Sequence, residues 1–154
     1  MKPAPDRLVL DLTYAARRPW VPRRAQFQQW AAAAFAGRAQ SVVLGVSVVG
    51  TARSRRLNAR YRGKDKPTNV LSFGGAGRIP DGRNFVGELI ICAPVVEREA
   101  RAQRKTREQH WAHMTVHGVL HLLGFDHEDA ADARKMAKME VQILDRLGFS
   151  NPYA

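Results

Sequence analysis

The chain has 154 residues, 45% of them hydrophobic, which is material for one core of ordinary size and too little length for two, so a single domain over 1–154 is expected. Its 25 Lys and Arg against 14 Asp and Glu give a formal charge of +11, a field that gathers polyanions and makes nucleic acid the leading partner class. One cysteine excludes an internal disulfide framework, the longest apolar run (Val42 to Val49) is too short to cross a bilayer, and the polar N-terminal MKPAPDR lacks the apolar heart of a signal sequence; a soluble cytoplasmic protein without a membrane partner is expected.

In chain order, Leu8–Leu12 reads as a short strand, and Pro19 and Pro22 then lead into an Ala-rich helix from about Arg23 to Phe35, with Gly37 at its C-terminal end. Ser41 to Val49 is rich in Val and free of charge, as a buried strand is. Thr51 is placed to cap a following helix that carries Leu57 and Tyr61 and ends near Gly63. A polar loop, Gly63 to Asn69, gives way to a strand at Val70–Phe73 and then to a Gly-rich excursion through Gly74, Gly75, Gly77, Pro80 and Gly82. Phe85–Cys92 returns as a strand, with Cys92 a small core residue. From Pro94 the pattern is helical and breaks near Lys105; Thr106 with Gln109 three residues on is a capping-box signature for a helix that stops at Gly124. A last amphipathic helix, about Asp129 to Leu147, sets Met136, Met139, Ile143 and Leu147 on one side and ends at Gly148. Strands mixed with helices, without strict βαβ alternation, predict an α+β layer structure with a small mixed sheet.

All five histidines fall between positions 110 and 127. His117 and His121 are one helical turn apart, the spacing at which two imidazole nitrogens converge on one ion. His127 supplies a third ligand if Gly124 takes the left-handed conformation that ends a helix and turns the chain back. His110 and His113, on earlier turns without a third partner, are expected to line or pack a cleft. The pattern HxxxHxxGxxH has the spacing of the metzincin protease motif, but Gly118 stands where those enzymes carry their catalytic Glu, so the protease base is missing. Three neutral imidazoles leave the charge of a dication uncompensated, which lowers bound water toward a pKa of about 7 and suits an anionic phosphodiester.

These residues, His117-Gly-Val-Leu-His121-Leu-Leu-Gly124-Phe-Asp126-His127, resemble the signature of the YbeY family of bacterial endoribonucleases. The stretch from Leu57-Asn58 through Tyr61-Arg62-Gly63-Lys64-Asp65-Lys66-Pro67-Thr68-Asn69 to Val70-Leu71-Ser72-Phe73 is similar to the family's second motif. Gly87-Glu88-Leu-Ile-Ile and the segment from Met136 and Glu140 to Leu147-Gly148-Phe149 are similar to further parts of it. Gly74-Gly75 and Glu88 depart from the family pattern, which often has Pro and Asp at those places. The resemblance implies a zincin-like α+β fold, one zinc ion per chain on His117, His121 and His127, and single-strand-selective endoribonuclease activity. That activity would serve 16S ribosomal RNA 3′ end maturation and ribosome quality control, with ribosomal RNA, the ribosome or small-subunit proteins as partners. It also implies a functional role for Arg62, whose planar fork of donors suits a phosphorane-like transition state. Lys64 and Lys66 are placed to follow the RNA backbone. The base is not fixed by the pattern: Asp126 and Glu88 are the available carboxylates, and Asp126 could equally orient a ligand imidazole. A zinc metalloprotease, and an assembly factor with a structural metal, are the competing readings.

Overall fold

The computed structural model describes residues 8–37, 41–125 and 128–154. Four strands, β1 (Leu8–Tyr14), β2 (Val42–Val49), β3 (Val70–Arg78) and β4 (Asn84–Cys92), form one sheet in the order β1-β2-β4-β3. The first three neighbours in that order run parallel, whereas β3 joins β4 antiparallel at the edge. Helices α1 (Arg24–Ala34), α2 (Thr51–Arg62), α3 (Ala93–Ala102), α4 (Arg107–Leu122) and α5 (Ala130–Arg146) cover it. The α+β architecture expected from the sequence is the one observed. No helix among the described residues is long and apolar enough to cross a membrane.

Period-two alternation divides the core. Leu44, Val46, Val48, Leu89 and Ile91 face α1, α4 and α5, where Phe27, Trp30 and Trp111 are buried among them. Val49, Leu71, Ile90 and Cys92 belong to a smaller cluster against α2 and α3. Trp111 is fully buried and meets Phe27 edge-on at 5.9 Å between ring centres.

Helix α4 runs through the middle of the larger cluster. Thr106 Oγ1 accepts from the Gln109 backbone N–H while the Gln109 side chain accepts from the Thr106 N–H, the reciprocal cap its sequence predicted. From His110 to Leu120 every residue is buried except His117. At the far end Gly124 adopts φ +96°; its N–H donates to the His121 carbonyl, and that of Phe125 to Leu120, both at 3.0 Å. This is the glycine stop that the histidine argument required.

Two details differ from expectation. Gly50, not Thr51, occupies the N-cap of α2, and Thr51 is already inside the helix. The Gly-rich stretch is mostly strand: β3 continues to Arg78 through an irregular pairing between Gly74 and Gly77. A Cβ on Gly75 would lie 2.3 Å from the Phe85 carbonyl, and one on Gly87 2.3 Å from that of Phe73, so side chains are excluded where the two backbones approach. Glycines display no alternation, which is why periodicity misses this strand.

Candidate metal centre and its cleft

The loop that follows α2 is tied down by two polar residues buried one turn apart on that helix. Ser54 Oγ donates to the Thr68 carbonyl and accepts from the Thr68 N–H, both at 3.0 Å, and Asn58 Nδ2 donates to the Lys66 carbonyl at 2.8 Å. Gly63 closes α2 in the left-handed conformation, φ +70°. The result fixes Arg62 at one end of the loop and Asn69 at the other.

Arg62, Asn69, Ser72, His117 and His121 line one cavity of about 320 Å³ between β3 and α4. Two of the expected metal ligands and the expected catalytic arginine are thus brought together. Arg62 is exposed and has no carboxylate partner among the described residues, because Asp65 is held instead by Arg55 through bonds of 2.7 and 3.0 Å. The His117 and His121 rings lie 4.8 Å apart between centres. His127 and Asp126 lie outside the described residues. Lys64 and Lys66 are exposed on the loop and do not line this cavity.

Glu88 is not brought to the histidines. Leu89 packs against Gly118 of α4, so its neighbour Glu88 points to the other face of the sheet, where it accepts from Ser47 Oγ at 2.7 Å. The candidate-base role for Glu88 is therefore corrected to a structural one.

A residue outside the expected site organises it. Glu140 of α5 is only 1% exposed and accepts from His117 Nδ1 at 2.5 Å, from His113 Nε2 at 3.1 Å and from the Tyr153 hydroxyl. Burial opposes ionisation of this carboxyl, but the bonds from His113 and His117, the nearby His117 charge and the Tyr153 hydroxyl outweigh it and bring its pKa down to about 2. Burial, reinforced by the Glu140 charge, pushes the Tyr153 phenol well above its ordinary range. Its sequence signal was a carboxylate one turn beyond Met136, inside the apolar stripe of α5.

His113, His117 and Glu140 place donor atoms within 4.8 Å of one another and form a group able to hold a metal. The individual distances favour a different role for Glu140. Two ligands at zinc bond lengths and a tetrahedral angle are about 3.3 Å apart. At 2.5 Å the contact of His117 Nδ1 with Glu140 is a hydrogen bond. In neutral His117 that bond puts the proton on Nδ1 and the lone pair on Nε2, the arrangement of carboxylate–histidine–metal sites.

His110, one turn before His113, makes a parallel contact. Its Nε2 meets Glu99 of α3 at 2.8 Å, and Asn69 Nδ2 donates to the same carboxylate at 3.1 Å. Burial raises the Glu99 pKa, yet the hydrogen bonds from His110 and Asn69 dominate and hold it below its ordinary value. A depressed carboxyl stabilises the fold above its unfolded pKa and loses that contribution as pH falls through the folded value. Acid titration of stability is therefore expected to show a loss beginning below about pH 4.5, and Glu99→Gln to flatten it, as read by denaturation midpoints at stepped pH.

Gly118 explains why this site is no protease. Its Cβ would come 2.7 Å from a methyl of fully buried Leu89 and 3.3 Å from Ser72 Oγ, which itself donates to the Gly118 carbonyl. A glutamate there would enter the packed core instead of reaching the cavity. Gly118→Glu is expected to lower stability by about 3 kcal/mol or more without any gain of casein cleavage, measured by denaturant unfolding and a protease assay on the same sample.

Comparison with known proteins agrees with this geometry. The description of the family Endoribonuclease YbeY matches residues 21–148. Two proteins called Endoribonuclease YbeY, from Stenotrophomonas maltophilia strains R551-3 and K279a, are each 47% identical over 158 residues, covering 100% of this chain and 98% of theirs. The solution structure of TM1509 from Thermotoga maritima shares the fold, with a TM-score of 0.52 at 22% identity over 91% of this chain and 92% of that one. With a family match across most of its length and near-complete relatives approaching half identity, the chain belongs to the YbeY endoribonuclease family.

Proposed function

We propose that this protein is a zinc-dependent endoribonuclease selective for single-stranded RNA, acting in 16S ribosomal RNA 3′ end maturation and ribosome quality control. The observation that carries the reading is the single cavity that Arg62 shares with His117 and His121. His117, His121 and His127 would hold one ion, with the first oriented by Glu140. Once bound, the ion supplies Lewis acidity toward an oxygen of the scissile phosphate.

The protein's own groups do the rest. Glu140 fixes the tautomer and ring plane of His117. Arg62, rigidly based at the end of α2, presents two parallel N–H groups to the phosphate and strengthens its grip as charge accumulates there. Lys64 and Lys66 track the backbone of the bound strand, and the charge of +11 concentrates RNA around the molecule. Asp126, next to His127 in sequence, is the remaining carboxylate for a base or for orienting a ligand. Ribosomal RNA, with the ribosome or small-subunit proteins, is the partner, and the cytoplasm the compartment.

The test offers matched single-stranded RNA, duplex RNA and casein to the purified protein, with and without chelator. Only single-stranded RNA should be cut, and chelator should stop it. Cutting of casein, or RNA cleavage indifferent to chelator, contradicts the reading; metal binding with no cleavage favours an assembly factor.

A further inference from the structure

A second cavity, of about 420 Å³, adjoins the first and shares Asn69 with it. The reaction proposed above leaves it unused. Its walls include Gln103 and Lys105 at the turn between α3 and α4, His110 of α4, and Tyr153 near the C-terminus. Three features make it more than a gap in packing.

Glu99 lines it with a carboxylate that already accepts from His110 and Asn69. A carboxylate has about four acceptor positions, so those two donors leave capacity for a pair of further N–H groups. Lys105 lies within the field of Glu99 and donates to the Pro152 carbonyl at 2.7 Å; an ammonium has three donors, and the others remain for a ligand. Tyr153 is 56% exposed, yet its hydroxyl is anchored on buried Glu140 and its ring stands edge-on to His113 at 5.4 Å. An aromatic ring held at one end with an open face is a stacking platform for an unpaired base.

We infer that this cavity is a base-recognition subsite that takes a guanine of single-stranded RNA lying next to the phosphodiester in the neighbouring cleft. The inference rests on the reading of that cleft as an RNA-cutting site. Guanine alone among the four bases offers two adjacent donors, N1–H and the 2-amino group, to one carboxylate, with O6 beside them to accept from an ammonium. Uracil has one N–H between two carbonyls. Adenine and cytosine set a ring acceptor beside their amino group, and the Glu99 carboxylate repels it. The shared Asn69 makes the two cavities continuous, so a strand with its phosphate at Arg62 can place a neighbouring base against Tyr153.

Nucleoside monophosphates test this on the intact protein, since they contain no bond for it to cut and any contact of their phosphate with a metal is common to all four. GMP, AMP, CMP and UMP are titrated while the Tyr153 ring and the His110 and His113 imidazoles are followed by NMR. GMP should move these resonances with an apparent Kd about tenfold below the other three, IMP (which lacks the 2-amino group) should fall between, and Glu99→Gln should remove the difference. No shift at millimolar GMP, equal affinity for all four, or a guanine preference that survives in folded Glu99→Gln overturns the inference. If Glu99→Gln does not fold, the comparison of nucleotides on the wild-type chain decides. Selective GMP binding without RNA cleavage would retain the subsite and reject the nuclease reading, while RNA cleavage with no guanine preference does the reverse.

Discussion

Glu140→Ala is expected to lower stability by about 3–5 kcal/mol and to weaken zinc binding by roughly 10–100-fold, although the residue is not itself assigned as a ligand. The carboxylate is buried and carries hydrogen bonds from three side chains at once. Its removal leaves two imidazoles and a phenol without their common acceptor and opens a void between α4 and α5. His117 then loses both its tautomer and its ring orientation. Glu140→Gln separates the two effects. It keeps the volume and one acceptor oxygen, so stability should fall less, but the amide N–H₂ faces one of the donors it replaces an acceptor for, so metal affinity should still drop. Denaturant unfolding of the metal-stripped proteins measures the first effect, and competition for zinc against a chelator of known affinity the second. A Glu140→Ala protein that binds zinc like wild type would show that Glu140 does not orient a ligand.

Arg62→Ala should reduce RNA cleavage by roughly 100- to 1,000-fold while leaving the fold and the metal content intact. Arg62 is exposed and has no carboxylate partner among the described residues, so nothing in the core depends on it. Its worth lies in the charge it meets as the phosphate becomes pentacoordinate. Arg62→Lys keeps the charge and loses the planar fork, so it should recover only part of the rate. Single-turnover cleavage with saturating RNA isolates this step from binding. Equal rates for wild type and Arg62→Ala would remove the arginine from the chemistry.

What the sequence disclosed about the site follows from what is local. The pair His117 and His121, the Thr106 cap and the Gly124 stop are all set within one helix and its ends, and spacing alone places them. The strand through Gly74–Gly77 was hidden because glycine carries no face to alternate. Glu140 and Glu99 were hidden for another reason. Their partners are 23 and 11 positions away, and only the packing of α5 and α3 on α4 brings carboxylates to the histidines. Glu88 shows the converse, since a carboxylate near a motif in sequence is turned to the opposite face by strand alternation.

The central claim is that one ion, held by the histidines beside Arg62, is needed for RNA cleavage. Zinc titrated into the metal-stripped protein, with occupancy and single-stranded RNA cleavage measured on the same samples, tests it most directly. Cleavage should rise in proportion to occupancy and level off at one zinc per chain, and His121→Ala should neither bind tightly nor cut. Full cleavage by the stripped protein, or a saturated site without cleavage, would contradict the account.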